Sequence, residues 1–174
     1  NKLLNFFLVK KKLNKFSPRL LEYLQLFMKT YIKNVSNFLV GPHSIYINQT
    51  ILSAIIKLAE TQGQSIKQNN LLEHLVSRYC AVILEKYIDF STNTFDMNAY
   101  FINVFSKNVD VYGLIMSYIP VLLTSTKTEN IYIKITIINI LIKYCFTGEY
   151  ANIPINLNEL VEQLKKMNQP EITR

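Results

Sequence analysis

Apolar side chains recur at three- and four-residue steps along most of this chain, and few extended folds tolerate that period. Leu20, Leu21, Leu24, Phe27, Met28, Tyr31 and Ile32 make one helical face in a segment expected to run from about residue 18 to 39. Ser17-Pro18 reads as its cap followed by proline at the first helical position, and Gly41-Pro42 as its stop. Further helices are expected at about 2–14, 45–61, 96–106, 108–124, 129–146 and 156–167, the last capped by Asn156 or Asn158. Residues 71–88 admit two readings, a helix or short strands at 80–84 and 87–88. Ile131 to Ile142 is rich in β-branched residues, yet Ile131, Ile135, Ile138 and Ile142 line one helical face and predict helix. The expected fold class is mainly α: a single helical domain over 18–174, preceded by a basic arm at 1–17, with at most a small strand pair near 80–91.

Charge is distributed unevenly. Residues 1–34 hold eight Lys and Arg against one acid, Glu22, so this segment carries the whole net charge of +7. The other 140 residues balance. Lys10, Lys11, Lys12, Lys15 and Arg19 could neutralise phosphates or an acidic protein, with Phe6, Phe7 and Phe16 interleaved to stack or anchor. Leu3, Leu4, Phe6, Phe7, Leu8 and Val9 followed by lysines also resemble a membrane-surface anchor, although they wrap around the helix. A solvated, solubilising end is the plain alternative.

Composition narrows the remaining classes. At 49% hydrophobic and 18% charged residues the chain has enough apolar surface for a core. Four glycines, at 41, 63, 113 and 148, leave no place for a Gly-rich phosphate loop. Cys80 and Cys145 lie in apolar stretches with no paired spacing, so buried free thiols are expected. His43 and His74 have no ligand-like spacing, and neither metal nor cofactor is expected. The longest uncharged apolar run, Val111 to Leu123, is too short to span a bilayer, and a soluble protein is expected. The sequence opens on Asn1 rather than Met, which fits processing or a fragment of a longer chain. The abundance of Ile, Asn, Lys, Tyr and Phe matches an AT-rich coding source such as a parasite, an organelle or a large DNA virus.

One passage carries a resemblance. Gln49 to Leu72 resembles the long helix and catalytic loop of the protein kinase C-terminal lobe, with Ser65-Ile66-Lys67-Gln68-Asn69-Asn70 in the frame of its loop motif. Tyr87-Ile88-Asp89-Phe90-Ser91 is similar to the magnesium motif, and Val109-Asp110-Val111-Tyr112-Gly113-Leu114 to the start of the lobe's buried central helix. The resemblance implies a degenerate lobe. Lys67, Asn70 and Asp89 keep the family's residue types, but Ser65 replaces the catalytic Asp and no nucleotide-covering N-lobe precedes it. It also implies that Asp110 caps a helix start and ties it to the loop near Gly63. The expected function is a non-catalytic scaffold within a larger intracellular assembly, of the kind met in large DNA viruses. Its expected partners are protein subunits, with RNA reached through the basic arm and peripheral membrane contact as further options. The alternatives are an organellar subunit, ribosomal or respiratory, and the C-lobe of an active kinase.

Overall fold

A computed structural model describes residues 1–34, 71–124 and 131–168. The expected helix at 45–61, the Gly41-Pro42 stop and the loop bearing Ser65, Lys67 and Asn70 lie outside these residues. The described part is mainly α. Helix α1 spans Lys2–Lys10, α2 Leu20–Asn34 and α3 Leu71–Tyr87. A two-stranded antiparallel hairpin follows, β1 (Ile88–Asp89) against β2 (Thr94–Phe95), with Ile88 opposite Phe95. Then come α4 (Met97–Tyr100), a π-helical turn at Phe101–Phe105, α5 (Ser106–Met116) and α6 (Ile119–Thr124). Helix α7 (Ile131–Leu141) continues into a second π-helical turn, Ile142–Phe146, and α8 (Leu157–Lys165) ends in a short 3₁₀ turn. The ambiguous stretch at 71–88 is thus helix up to Tyr87, and the strand pair sits just beyond it.

Several local expectations need correction. Helix α1 ends at Lys10 rather than 14 because Lys12 adopts the left-handed conformation (φ 52°). The Leu13 amide donates back to the Leu8 carbonyl at 2.9 Å and the Lys12 amide to the Val9 carbonyl at 3.0 Å. These are the paired bonds of a Schellman stop, made here without glycine. Ser17-Pro18 does not cap α2. The Ser17 hydroxyl accepts the Asn14 amide at 2.8 Å, and the helix starts at Leu20, after Arg19 at φ 59°. The break expected near residue 107 is absent, since α4, the π turn and α5 follow one another without a gap. Asp110 is therefore an exposed mid-helix residue that caps no helix start, and the loop near Gly63 to which it is expected to tie lies outside the described residues. By contrast Asn156 caps α8, accepting the Glu159 amide at 3.3 Å.

The core has two parts. One gathers Ile115, Ile137, Leu141, Tyr144, Cys145, Phe146 and Leu160 from α5, α7, the second π turn and α8. The other joins Leu4 and Leu8 of α1 to Leu20, Leu24, Ala81 and Ile88. Cys80 and Cys145 are both free, Cys145 buried and Cys80 half-buried. A loop at 147–156 closes the first part, and polar groups hold it. Asn108, buried on α5, donates from Nδ2 to the carbonyls of Ile153 (3.0 Å) and Tyr150 (3.4 Å). Its Oδ1 accepts the Ile155 amide at 2.8 Å. Gly148 lies so close to α3 that a Cβ there would stand 2.9 Å from Val82 Cγ2. Lys86 Nζ donates to the Asn152 carbonyl at 2.7 Å. The Tyr150 hydroxyl donates to Glu159 at 2.6 Å, and Lys143 pairs with the same carboxylate, holding it below the usual glutamate range.

Two stability measurements check this arrangement. Asn108→Ala leaves three backbone groups of the loop without partners and should cost about 3 kcal/mol or more in urea unfolding. The Tyr144 hydroxyl is buried and has no hydrogen-bond partner among the described residues. Tyr144→Phe removes an unsatisfied group without a cavity, so it should stabilise by about 1 kcal/mol. A loss of stability in that variant would show that the hydroxyl is satisfied.

Candidate docking face

Helix α1 is divided lengthwise. Leu4 and Leu8, one turn apart, point into the core, and full burial of each is worth about 2 kcal/mol. Phe7 flanks them, its ring 5.1 Å from that of Phe27 on α2. Asn1 Oδ1 accepts the Phe95 amide at 3.3 Å, which ties the start of the helix to β2. The residues at 1–17 are thus docked on the body through α1, not detached from it.

The opposite side of the helix is apolar too. Leu3, Phe6 and Val9, each three residues apart, remain 64%, 65% and 61% exposed. Leucine and phenylalanine on a solvent-facing side, after the helix has already satisfied its core with another side, are the kind of patch that marks a contact surface. Lysines bracket them. Lys2 precedes the triad, and Lys10, Lys11 and Lys12 follow it, all exposed. Lys10 Nζ lies 5.7 Å from the centre of the Phe6 ring. Beyond the stop, Asn14 Oδ1 accepts the Phe16 amide at 2.9 Å in a tight turn, and Phe16 is left 90% exposed beside Lys15.

The candidate residues therefore separate. Phe6, Lys10, Lys11, Lys12, Lys15 and Phe16 are all open to contact. Phe7 belongs to the core packing. Arg19 is held by Glu22 three residues on, and that pairing keeps the Glu22 carboxyl below its ordinary range. Leu3 and Val9 join the outward face. The Leu4–Leu8 pair, spaced by one helical turn, was the signal that could have singled them out, because fixing that pair inward turns positions 3, 6 and 9 outward.

No protein-family model matches the chain, and neither a curated protein nor a solved structure is similar to it. Nothing beyond the short motifs themselves therefore links it to the protein kinases. Of the loop and magnesium-motif positions carried over from that resemblance, Ser65, Lys67 and Asn70 lie outside the described residues and Asp89 lies within them. It is exposed on β1 and spends its carboxylate on the hairpin turn. Oδ1 accepts the Ser91 amide (2.8 Å) and hydroxyl (2.6 Å), and Oδ2 accepts the Thr92 hydroxyl (3.0 Å). These bonds lower the Asp89 pKa. A cleft of about 220 Å³ lies against the first π turn, lined by Tyr79, Tyr100, Phe105, Val109 and Tyr112. Burial raises the pKa of all three tyrosines, that of Tyr112 to about 12. Their hydroxyls stay neutral at physiological pH. Among the described residues no helix is long and apolar enough to cross a membrane.

The lowered Asp89 pKa fixes a sign. A carboxyl favoured as the anion in the folded chain stabilises it above the ordinary Asp pKa, and that contribution fades as pH falls through the lower folded value. Asp89→Ala should therefore lower Tm at neutral pH, and the gap from wild type should shrink on acidification below about pH 4. A gap independent of pH would mean that the turn does not depend on the charge.

Proposed function

We propose that this protein is a non-catalytic interaction component that docks through the outward side of α1 onto an acidic surface within a larger assembly. The observation that carries this reading is the exposed triad Leu3, Phe6 and Val9 set among exposed lysines, on a helix whose other side is already anchored in the core. Lys2, Lys10, Lys11, Lys12 and Lys15 take part in none of the ion pairs among the described residues. Among the described residues no acid neutralises them, and the first acid along the chain, Glu22, is occupied by Arg19. The anchored side gives the face a fixed orientation, so little ordering entropy stands against binding. The reading of an active kinase half draws no support from Asp89, whose oxygens are engaged by Ser91 and Thr92.

Density-gradient sedimentation of extracts from cells making the full chain tests this. Two variants are compared with wild type: Lys10, Lys11 and Lys12 changed to Gln, and Leu3, Phe6 and Val9 changed to Ser. All six sites are exposed, so folding stability should stay within about 0.5 kcal/mol. Wild type should travel with large particles or membranes, and both variants should shift to slow fractions. Sedimentation of the wild type as a free 20.3 kDa chain would refute the proposal.

A further inference from the structure

Resting on that docking reading, we infer that the acidic surface is an anionic phospholipid bilayer, on which α1 lies flat with Leu3, Phe6 and Val9 immersed at the headgroup boundary. Three observations favour lipid over the other acidic surfaces. First, two of the three central side chains are aliphatic. Leu3 and Val9 have no ring to stack on a base, so a nucleic acid would leave them in water, whereas the acyl boundary takes them in. Second, the face is the outer, convex side of a helix whose inner side is packed on the body. A convex apolar ridge needs a complementary pocket on a protein partner, while a fluid surface yields to it. Third, the lysines bracket the triad at both ends of the helix, Lys2 on one side and Lys10, Lys11 and Lys12 on the other. Their long stems let the ammonium groups reach headgroup phosphates while the chain between them sinks. Lys10, with its Nζ near the Phe6 ring, is placed at that boundary. Phe16, exposed at the tip of the next turn beside Lys15, offers a second point of entry.

Vesicle binding by the full chain separates the outcomes. The chain contains no Trp, so Phe6→Trp introduces a single reporter on the face itself. Its emission should shift to the blue with vesicles containing about a third phosphatidylserine, and should stay unchanged with phosphatidylcholine alone. Changing Lys10, Lys11 and Lys12 to Gln should weaken partitioning about a hundredfold, and added salt should weaken it further. Changing Leu3, Phe6 and Val9 to Ser removes the reporter site, so this variant is read by co-sedimentation with the vesicles, where binding should be abolished with the melting curve intact. A reporter unmoved by anionic vesicles overturns the inference. So does equal binding to polyglutamate or single-stranded RNA that depends on the lysines and ignores the apolar triad. A wild type that ignores vesicles but still travels with large particles sinks the lipid assignment alone and leaves the docking reading in place.

Discussion

The carboxamide of Asn108 holds three backbone groups of one loop, and the C-terminal half of the molecule is arranged around that fact. A loop that crosses a core must satisfy its peptide groups without a neighbouring strand or helix. Here one buried side chain does so for Tyr150, Ile153 and Ile155 together. Tyr150 is thereby fixed against Tyr144, with ring centres 4.9 Å apart, and its hydroxyl reaches Glu159 on α8. The position of the last helix is in this way transmitted from the middle of α5. Gly148 allows the same loop to approach α3 closely enough for Asn152 and Lys86 to meet.

The N-terminal half depends on a different economy. One nine-residue helix serves two surfaces, one of them the second core, and its length is set by the left-handed turn at Lys12. Had the helix continued to residue 14, Leu13 would project from a further turn. Instead Leu13 folds back against the cluster around Leu4 and Leu8, covering the end of the helix that its own amide closes. The excess charge is then concentrated on the turn that follows, next to the apolar side that faces away from the core.

Features with a period were legible in the sequence, and features that depend on a single distant partner were not. The stretch from 131 to 142 is helix despite its β-branched composition, but the isoleucine line at 131, 135, 138 and 142 misplaced its buried face: Ile135 is exposed, and Ile137, Ile140 and Leu141 are the ones inside. The cap of the last helix was legible as Asn156 or Asn158 because capping is local, and Asn156 fills it. Ser17-Pro18 carried the same signal and failed, since the Ser17 hydroxyl is taken by Asn14 in a competing turn. Lys12 and Arg19 take left-handed backbone conformations that their side chains do not advertise. Asn108 looked like a helix boundary and proved to be an interior peg, because its partners lie more than forty residues away. Of the outward face, Phe6 and the lysines were visible from charge and aromatic content. Leu3 and Val9 stood in the sequence within an apolar run that wraps the helix, and they separated from Leu4 and Leu8 only once that pair was known to be inside.

The π-helical turn at Phe101–Phe105 sets the phase of everything after it. It accommodates one residue more than the α-helical ladder would, so it rotates α5 relative to α4 about their common axis. Val104, inside the turn, and Asn108 and Ile115, beyond it, face the interior because of that offset. Loss of one residue from the turn would restore a regular helix and swing Asn108 about 100° away from the three groups it holds. The loop at 147–156 would then be released by a change that alters neither Asn108 nor any residue of the loop. Chain length within this short window, more than the identity of its side chains, is what keeps the two halves of the polar clamp in register.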